Sequence, residues 1–272
     1  MISENSVTLD QRSLDLRKSA ISAIEGGGRG HPGATLSLIE IMRVLYDDVL
    51  KFDAEQPDWP QRDRCILSKG HGCLALYTLL ADKGFFEKSQ LQQFCKTGAL
   101  LGGHPESKVP GVEASTGALG HGLAIGVGMA LATKIKQLNS HIFVVMGDGE
   151  INEGAVWESA LSAGHHQLDN LVAIIDYNKL QSYGTTKEIL DLEPLIPKWQ
   201  SFGFETCEVD GHNVDALKQC FASLDFNCKK PKAIICHTIK GKGLSFAENN
   251  PAWHHKSGMK TEQIQAMYEE LS

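Results

Sequence analysis

The sequence predicts an α/β fold, a doubly wound parallel sheet with helices on both faces. Short apolar runs alternate along the chain with longer segments of helical periodicity, which is typical of βαβ units. One complete strand–helix–strand unit is especially clear between Ile142 and Ile175. No Pro/Ser-rich linker, low-complexity block or internal repeat divides the 272 residues. We therefore expect a single domain over residues 1–272.

The predicted elements follow one another without long gaps. Strands are expected over residues 65–68, 142–146, 171–175, 204–209 and 232–237. Helices are expected over residues 10–25, 35–49, 73–80, 123–138, 192–202, 213–224 and 261–271, with one more between the second and third strands. Residues 177–188 read as a polar loop. Gly126 and Gly128 lie inside a helical pattern with no strand leading directly into them, so we expect them to permit close helix packing.

The central unit places polar residues at the ends of two neighbouring strands. Asp148 follows the first apolar run and Asn178 follows the second, so both belong at the carboxyl edge where open α/β sheets bind ligands. Their oxygens and the carbonyl of Leu180 suit Mg²⁺, and Ca²⁺ or Mn²⁺ would also fit. Gly147 and Gly149 let the backbone approach phosphate closely. The alternative is an ordinary tight turn with a strand-end Asn.

Composition and charge exclude several classes of protein. The formal net charge of −7 argues against a nucleic-acid binder, and no run approaches 18 apolar residues. The first residues lack the basic and apolar regions of a signal peptide. The seven cysteines show no Cys-x-x-Cys spacing, so we expect reduced thiols. These features predict a soluble, cytoplasmic protein without a membrane partner.

Several histidines lie in short glycine-rich segments. His31 is held between Gly30 and Pro32 in a stiff loop, and His71 stands at a helix start, where it could donate to a phosphate oxygen. Taken singly, each could equally be a loop or capping residue. Six segments together, in order along residues 15–258, resemble the transketolase family: Gly30-His31-Pro32-Gly33, Lys69-Gly70-His71-Gly72, Gly103-His104-Pro105-Glu106, Thr116–Gly122, Gly147–Asn178 and Lys240–Gly243 with the following His254.

This resemblance implies the thiamine-diphosphate-binding fold, specifically its diphosphate-binding domain. It assigns metal binding to Asp148, Asn178 and Leu180, and catalytic roles to His31, His104, His254 and Glu153. It assigns thiamine diphosphate binding to His71, Gly117, Ala118, Leu119, Gly147, Asp148, Gly149, Glu153, Asn178 and His254. Glu153 and Glu158, within the motif helix, resemble glutamates that hydrogen-bond across the family's dimer.

The sequence departs from the family pattern at three positions. Ala118 stands where the family often has proline, and His121 stands where it often has glutamine. His255 stands where glycine is usual, so the sequence leaves open whether His254 or His255 faces the cofactor. His121 could be a bystander or a substrate contact, and we favour the bystander.

The resemblance implies the amino-terminal subunit of a split transketolase in carbohydrate metabolism, such as the pentose phosphate pathway. Such a subunit would help transfer a two-carbon ketol unit from a ketose phosphate to an aldose. Its partner would be a carboxy-terminal subunit that carries the pyrimidine-binding domain and the catalytic glutamate, in an α₂β₂ heterotetramer.

Other functions stay open at this point. A half-subunit of a 1-deoxyxylulose-5-phosphate synthase-like or oxo-acid dehydrogenase-like enzyme would share the cofactor motif, although the Gly-His-Pro segments favour transketolase. A non-catalytic protein that only holds the cofactor is a further alternative. A nicotinamide dehydrogenase is disfavoured, because no Gly-x-Gly-x-x-Gly follows a strand.

Overall fold

A five-stranded parallel sheet lies at the centre of the computed structural model, which describes residues 8–272. The strands are β1 (Arg29–Gly30), β2 (Arg64–Leu67), β3 (Ile142–Gly147), β4 (Leu171–Tyr177), β5 (Glu205–Asp210), β6 (Lys232–His237) and β7 (Lys256–Ser257). The sheet order is β2-β3-β4-β6-β5, and every neighbouring pair is parallel. The short strands β1 and β7 form a separate antiparallel pair. The predicted pairing of the two central strands is confirmed.

Ten α-helices are present among the described residues. They are α1 (Gln11–Gly27), α2 (Pro32–Leu36), α3 (Ile39–Val44), α4 (Cys73–Asp82), α5 (Gly122–Ile135), α6 (Gly154–His165), α7 (Thr186–Ile189), α8 (Leu195–Ser201), α9 (Val214–Ala222) and α10 (Thr261–Glu270). A π-helical turn, Leu45–Val49, continues α3. Most of the helices predicted from the sequence are therefore present in the structure.

The helices cover both faces of the sheet, as predicted. Phe143 and Val145 of β3 pack into one apolar cluster with α1, α3, α4, α9 and α10. Val144 and Met146 of the same strand pack into a second cluster with α5, α6 and α8. Because successive side chains of a strand point to opposite faces, β2, β3, β4 and β6 each contribute to both cores. The fold is a doubly wound sheet.

The continuous helix expected over 35–49 is wrong. The structure breaks it between α2 and α3, where the Ser37 hydroxyl donates to Ala34 O at 3.2 Å and to the Asp176 carboxylate at 2.6 Å. A serine that bonds to the neighbouring backbone and to a distant strand competes with regular helical bonding. The break brings Ser37 to the carboxyl edge of the sheet.

Three smaller expectations are also corrected. Residues 177–188 are not purely loop, because a capping box between Thr185 and Glu188 starts the short helix α7. Glu153 is the N-cap of α6 rather than a residue within it, because a 3₁₀ turn over Glu150–Asn152 comes first. Gly126 does permit close packing, since a Cβ there would lie 2.5 Å from Val144, but Gly128 faces open space.

Helix length also bears on membrane insertion. In residues 8–272 no helix combines the length and apolar character needed to cross a membrane.

Four of the loops that connect the strands and helices gather at one edge of the sheet. The loops after β2, β3, β4 and β6 all leave the sheet at their carboxyl ends, and they carry Lys69, Asp148, Asn178 and Thr238 respectively.

Candidate active site

The loops after β3 and β4 are joined directly at the carboxyl edge of the sheet. Gly147 is in register with Asp176, and the Asp148 amide donates to Asp176 O at 3.3 Å. The Lys179 amide donates to Asp148 Oδ2, and Asp148 Oδ1 accepts from Gly149 N at 2.7 Å. The parallel pairing therefore brings Asp148 next to the Asn178–Leu180 segment, as the strand spacing predicts.

The three oxygens expected to bind a metal already have hydrogen-bond partners. Asn178 Oδ1 accepts from Leu180 N at 3.1 Å, and Leu180 O accepts from Lys240 Nζ at 2.6 Å. Among residues 8–272 no group of three or more His, Cys, Asp or Glu side chains is arranged to hold a metal ion. A metal at this edge would therefore rely on one carboxylate plus amide and carbonyl oxygens, a donor set that suits a hard cation.

Asp176 is a second buried carboxylate, which the sequence analysis did not identify. It is fully buried and accepts from Lys69 Nζ, from the Thr238 hydroxyl, from Ser37 Oγ at 2.6 Å and from Asn178 Nδ2 at 3.2 Å. One side chain thus ties together the loops after β2, β4 and β6 and the break after α2. An acidic residue near the end of the apolar run Leu171–Tyr177 was the available signal.

The two carboxylates differ in pKa because their surroundings differ. Burial, and then the charge of Asp176, raises the pKa of Asp148 to about 6. Burial alone would also raise the pKa of Asp176, but the Lys69 ammonium and the two hydroxyls lower it below its ordinary value. Burial and the nearby Lys69 lower the pKa of Lys240 to about 8. The edge therefore has two ammonium groups facing two carboxylates.

Five histidine rings gather above this edge. His31 is the central member, and its ring centroid lies 5.4 Å from that of His71, 6.4 Å from His104, 5.6 Å from His254 and 4.7 Å from His255. The rings of His71 and His254 are 5.4 Å apart. The chain thus brings together four segments that lie far apart in the sequence.

The inner histidines are held neutral. Burial, with the nearby His255 and His254, lowers the pKa of His31 to about 3. Burial and the Lys240 ammonium lower the pKa of His254 to about 4, and burial with Lys69 lowers the pKa of His71 well below its usual range. A neutral imidazole has one donor and one acceptor nitrogen. These rings can therefore bind hydroxyl groups in either direction at neutral pH.

The surroundings of His254 and His255 differ. His254 Nε2 lies 3.0 Å from Ser182 Oγ, while its Nδ1 is buried and has no partner within the described part of the chain. His255 is exposed, although its ring lies 4.7 Å from that of His31. A buried ring nitrogen without a partner points to a bound group, so the geometry favours His254 as the inward-facing residue.

The loop Thr116–Gly122 crosses the site beside His104. Gly117 has φ +141°, and a Cβ at this position would lie 2.9 Å from the His104 ring. The Thr116 hydroxyl anchors the loop on Leu67 O at 2.7 Å. Ala118 and Leu119, which the resemblance assigns to cofactor binding, are exposed at the outer side of the loop.

His121 is exposed as well, and it contacts the backbone of its own loop. Its Nδ1 lies 3.1 Å from Leu119 O. The ring therefore bonds to its own loop rather than to the histidine cluster, and this position agrees with the expected bystander role.

Glu150 holds this loop to the strand ends and was also missed by the sequence analysis. Its buried carboxylate accepts from Gly120 N at 3.0 Å, from Gly147 N at 3.1 Å and from the Ser68 hydroxyl. Ser68 Oγ in turn accepts from Gly122 N at 3.1 Å. Glu150 therefore fixes three backbone segments of the site by charge-assisted hydrogen bonds.

Glu153 and Glu158 lie at the surface next to this loop. Both side chains are exposed, and Glu153 packs so closely on Gly120 that a Cβ there would lie 2.6 Å away. Within residues 8–272, neither glutamate hydrogen-bonds to the histidine cluster or to the Asp148 edge. Their exposure leaves them available to a second chain.

Lys240 lies on a turn that a buried ionic network supports. His212 Nε2 accepts from Ile239 N at 2.8 Å, and Arg17 Nε donates to Lys242 O at 2.9 Å. Arg17 and His212 both bond to the buried carboxylate of Glu40, at 2.9 Å and 2.8 Å to its Oε2. The Arg17 guanidinium offsets the burial of Glu40 and lowers its pKa to about 2. The network fixes the backbone on both sides of Lys240.

The described residues fit a phosphorylated group with a cation. Lys69 and Lys240 are buried ammonium groups, which are costly without anionic partners. Two buried nitrogens, His254 Nδ1 and Gln181 Nε2, have no partner among these residues. The Gln181 side chain lies beside Gly149, where a Cβ would approach it to 3.0 Å. Two ammonium groups, two nitrogens without partners and a glycine backbone therefore lie together at the carboxyl edge of the sheet.

Comparison with known proteins identifies the family of this chain. Residues 10–272 match the family model described as the transketolase thiamine diphosphate binding domain. The chain is 42% identical over 248 residues to a subunit of the apulose-4-phosphate transketolase of Phocaeicola vulgatus, covering 91% of this chain and 88% of that protein. It is 42% identical over 255 residues to a subunit of the 6-deoxy-6-sulfo-D-fructose transketolase of Clostridium sp. (strain MSTE9), covering 93% of each.

A solved structure gives the same result. The transketolase from Leishmania mexicana superposes with a TM-score of 0.87 at 31% sequence identity, covering 97% of this chain. The match covers 41% of the Leishmania chain, so this chain spans less than half of that protein. The family model covers nearly the whole sequence, and the solved structure shares the fold of this chain. The chain belongs to the transketolase family and comprises its thiamine diphosphate-binding domain.

Proposed function

We propose that this chain is the amino-terminal subunit of a two-subunit transketolase. The enzyme would transfer a two-carbon ketol unit from a ketose phosphate to an aldose acceptor, using thiamine diphosphate and Mg²⁺. The observation that carries this proposal is the neutral histidine cluster around His31, which lies beside the buried edge of Asp148 and Lys240. Residues 1–272 would form one diphosphate-binding domain.

The proposed cofactor site uses the sheet edge. Asp148, Asn178 and the carbonyl of Leu180 would hold Mg²⁺, although Lys240 must first leave Leu180 O. Lys240, His71 and His254 would then face the diphosphate, and the amides of Gly147 and Gly149 would lie nearby. Thiamine diphosphate, when bound, supplies the carbon nucleophile and the electron sink for the reaction. Ca²⁺ and Mn²⁺ are alternative metals.

The histidines would act on the sugar. With a pKa near 3, His31 is neutral throughout the physiological range, so it can accept a hydrogen bond from a sugar hydroxyl or donate one to a carbonyl oxygen. His104 is the most exposed of the three proposed catalytic histidines. His254 would contact both cofactor and substrate. Proton transfer at sugar hydroxyls is the chemistry that these rings support.

A second chain is required by this proposal. A carboxy-terminal subunit would supply the pyrimidine-binding domain and the glutamate that activates the cofactor ring. The exposed Ala118, Leu119 and Glu153 lie side by side on the surface where that subunit would complete the site. We propose an α₂β₂ heterotetramer in the cytoplasm. The names of the two relatives, each a transketolase subunit, support a divided enzyme.

The names of the two relatives bear on the donor sugar. The two relatives are named for apulose 4-phosphate and for 6-deoxy-6-sulfo-D-fructose, a branched and a sulfonated sugar. We propose a ketose with an anionic terminal group as donor, in the pentose phosphate pathway or in a related sugar-degrading route.

Reconstitution tests the proposal. The purified chain and its carboxy-terminal subunit would be assayed, separately and together, for ketol transfer to ribose 5-phosphate with thiamine diphosphate and Mg²⁺. We expect activity only in the mixture, and loss of that activity with Asp148→Ala. Condensation of pyruvate with an aldehyde instead of ketol transfer would favour a 1-deoxyxylulose-5-phosphate synthase-like enzyme. Full activity of this chain alone would refute the divided enzyme.

A further inference from the structure

Two cysteines lie in contact where helix α9 packs against the sheet. Cys207 is in the edge strand β5, and Cys220 is in α9, which packs against that strand. Their Sγ atoms are 2.8 Å apart. A disulfide requires about 2.05 Å between the sulfurs, so less than about 1 Å of movement separates the two thiols from a bond. Both cysteines are free thiols here.

The two thiols have complementary reactivity. The hydrogen bond between the two sulfurs lowers the pKa of Cys207, against the opposing effects of burial and of Glu208, and raises the pKa of Cys220. Thiols whose pKa is near the ambient pH attack disulfides most effectively, because they combine thiolate population with nucleophilicity. Cys207 is half-buried on an edge strand, whereas Cys220 is buried behind it. Cys207 is therefore the accessible nucleophile and Cys220 the resolving thiol.

Other cysteines of the chain lack this combination. Burial raises the pKa of Cys65 to about 12 and that of Cys236 well above its ordinary value. Cys228 is half-buried, but its Sγ contacts backbone carbonyls, with Asp225 O at 3.1 Å. Within residues 8–272, the close sulfur–sulfur contact distinguishes Cys207 and Cys220 from these thiols.

We propose that Cys207 and Cys220 form a reversible thiol–disulfide site whose oxidant is a low-molecular-weight disulfide. The Cys207 thiol releases its proton to solvent, its thiolate attacks one sulfur of the oxidant, the oxidant's S–S bond breaks, and one small thiolate leaves and takes up a proton from solvent. The Cys220 sulfur then attacks the Cys207 sulfur of the mixed disulfide and releases the second small thiolate, which takes up the Cys220 proton. The balance is one protein dithiol and one small disulfide giving one protein disulfide and two small thiols.

A disulfide between Cys207 and Cys220 would lie close to residues that support the proposed site. The chain between the two cysteines contains His212, which bonds to Glu40 and to the amide of Ile239, immediately before Lys240. The bridge would close the segment that supports the Lys240 turn. In intracellular proteins such reversible bridges are typically redox-sensing rather than structural.

Incubation of the fully reduced protein with oxidised glutathione near neutral pH tests this proposal. Blocking the remaining thiols, digesting the protein and mapping the peptides by mass spectrometry should identify a Cys207–Cys220 cross-link. The protein should retain five free thiols, which is its seven cysteines minus two, and dithiothreitol should restore all seven. Cys228→Ser should form the same cross-link and serves as the matched control.

Single variants assign the two roles. Cys220→Ser should stop at a glutathione adduct on Cys207, and Cys207→Ser should form no cross-link involving Cys220. The proposal is overturned if the wild type keeps all seven thiols, if it stops at the Cys207 adduct, or if Cys207 is linked to a different cysteine.

Discussion

Lys240 Nζ donates a 2.6 Å hydrogen bond to Leu180 O, the backbone oxygen that the sequence assigns to the metal. An ammonium group thus lies against one of the three proposed metal ligands. The carboxylates of Asp148 and Asp176 stabilise its charge, while burial and Lys69 oppose it. We infer that metal binding and release of Lys240 from Leu180 are coupled, and that the released ammonium group turns to the diphosphate.

The first prediction concerns the pH dependence of cofactor affinity. Because the pKa of Lys240 is about 8 in the cofactor-free protein, its ammonium charge is lost as the pH rises through that value. Binding a diphosphate favours the charged form. We therefore expect the affinity for thiamine diphosphate, at saturating Mg²⁺ and in the two-subunit complex, to fall above pH 8 by up to about tenfold per pH unit. Isothermal titration calorimetry measures this slope.

Lys240→Arg is the matched control for this prediction. Arginine stays charged throughout this pH range. The absolute affinity of the Lys240→Arg complex for thiamine diphosphate will differ from that of the wild type. Its affinity should, however, change less with pH between about pH 7 and pH 9. Parallel slopes in the two proteins would show that Lys240 is not the titrating group.

The second prediction compares the two buried carboxylates in the chain without cofactor. The pKa of Asp148 is raised from 3.8 to about 6, so the folded state prefers the protonated form and its stabilising contribution is lost as the pH rises through about 6. Asp148→Asn should lose some stability at every pH, because its amide nitrogen meets the backbone donor of Gly149 or Lys179. Relative to the wild type, however, its free energy of unfolding should gain up to about 3 kcal/mol between about pH 4 and pH 7.5. Thermal and urea unfolding at the two pH values measure it.

Asp176→Asn should have the opposite effect. The pKa of Asp176 is lowered, so its contribution to stability is present at neutral pH and is lost as the pH falls through the folded-state pKa. Removing this carboxylate leaves the Lys69 ammonium buried without its partner. Loss of one partner of a buried pair costs roughly 3–5 kcal/mol. If the free energy of unfolding of Asp176→Asn, relative to the wild type, also rose between these two pH values, this description of the edge would be contradicted.

The third prediction concerns two glutamates three residues apart. Glu150→Gln should lower the free energy of unfolding by about 1–3 kcal/mol, because the amide group of glutamine meets backbone donors where a carboxylate oxygen accepted. Glu153→Gln changes an exposed side chain and should leave stability within about 0.5 kcal/mol. If Glu153 meets the second chain, as proposed, Glu153→Gln should reduce activity only in the complex. Equal destabilisation by both changes would rule out the role given to Glu150.

The sequence was sufficient to predict the elements that depend on local patterns. The strand–helix–strand unit placed Asp148 and Asn178 at one sheet edge, because parallel strands end on the same side. The buried partners in the site could not be found in this way. Lys69 meets Asp176 and Ser68 meets Glu150 across separations of 107 and 82 residues, and no local spacing marks such contacts. The break at Ser37 has the same origin, since its bond to Asp176 depends on the tertiary fold.

The fourth prediction compares two glycines. Gly117→Ala places a Cβ 2.9 Å from the His104 ring at a backbone φ of +141°, so the loop or the histidine must move. We expect a loss of ketol-transfer activity of at least about tenfold in the complex. Gly128→Ala lies in α5 with open space around the new Cβ, and it should stabilise the isolated chain by up to about 1 kcal/mol. An active Gly117→Ala complex would show that the position of His104 is not critical.

Titration of thiamine diphosphate with Mg²⁺ tests the central claim most directly. The titration would be made into this chain alone, into its complex with the carboxy-terminal subunit, and into the complex carrying Asp148→Ala. We expect tight binding only in the wild-type complex, with the Asp148→Ala complex and the isolated chain both weaker by at least about tenfold. If the wild-type complex binds no cofactor, or if Asp148→Ala binds as tightly as the wild type, the proposed site is wrong.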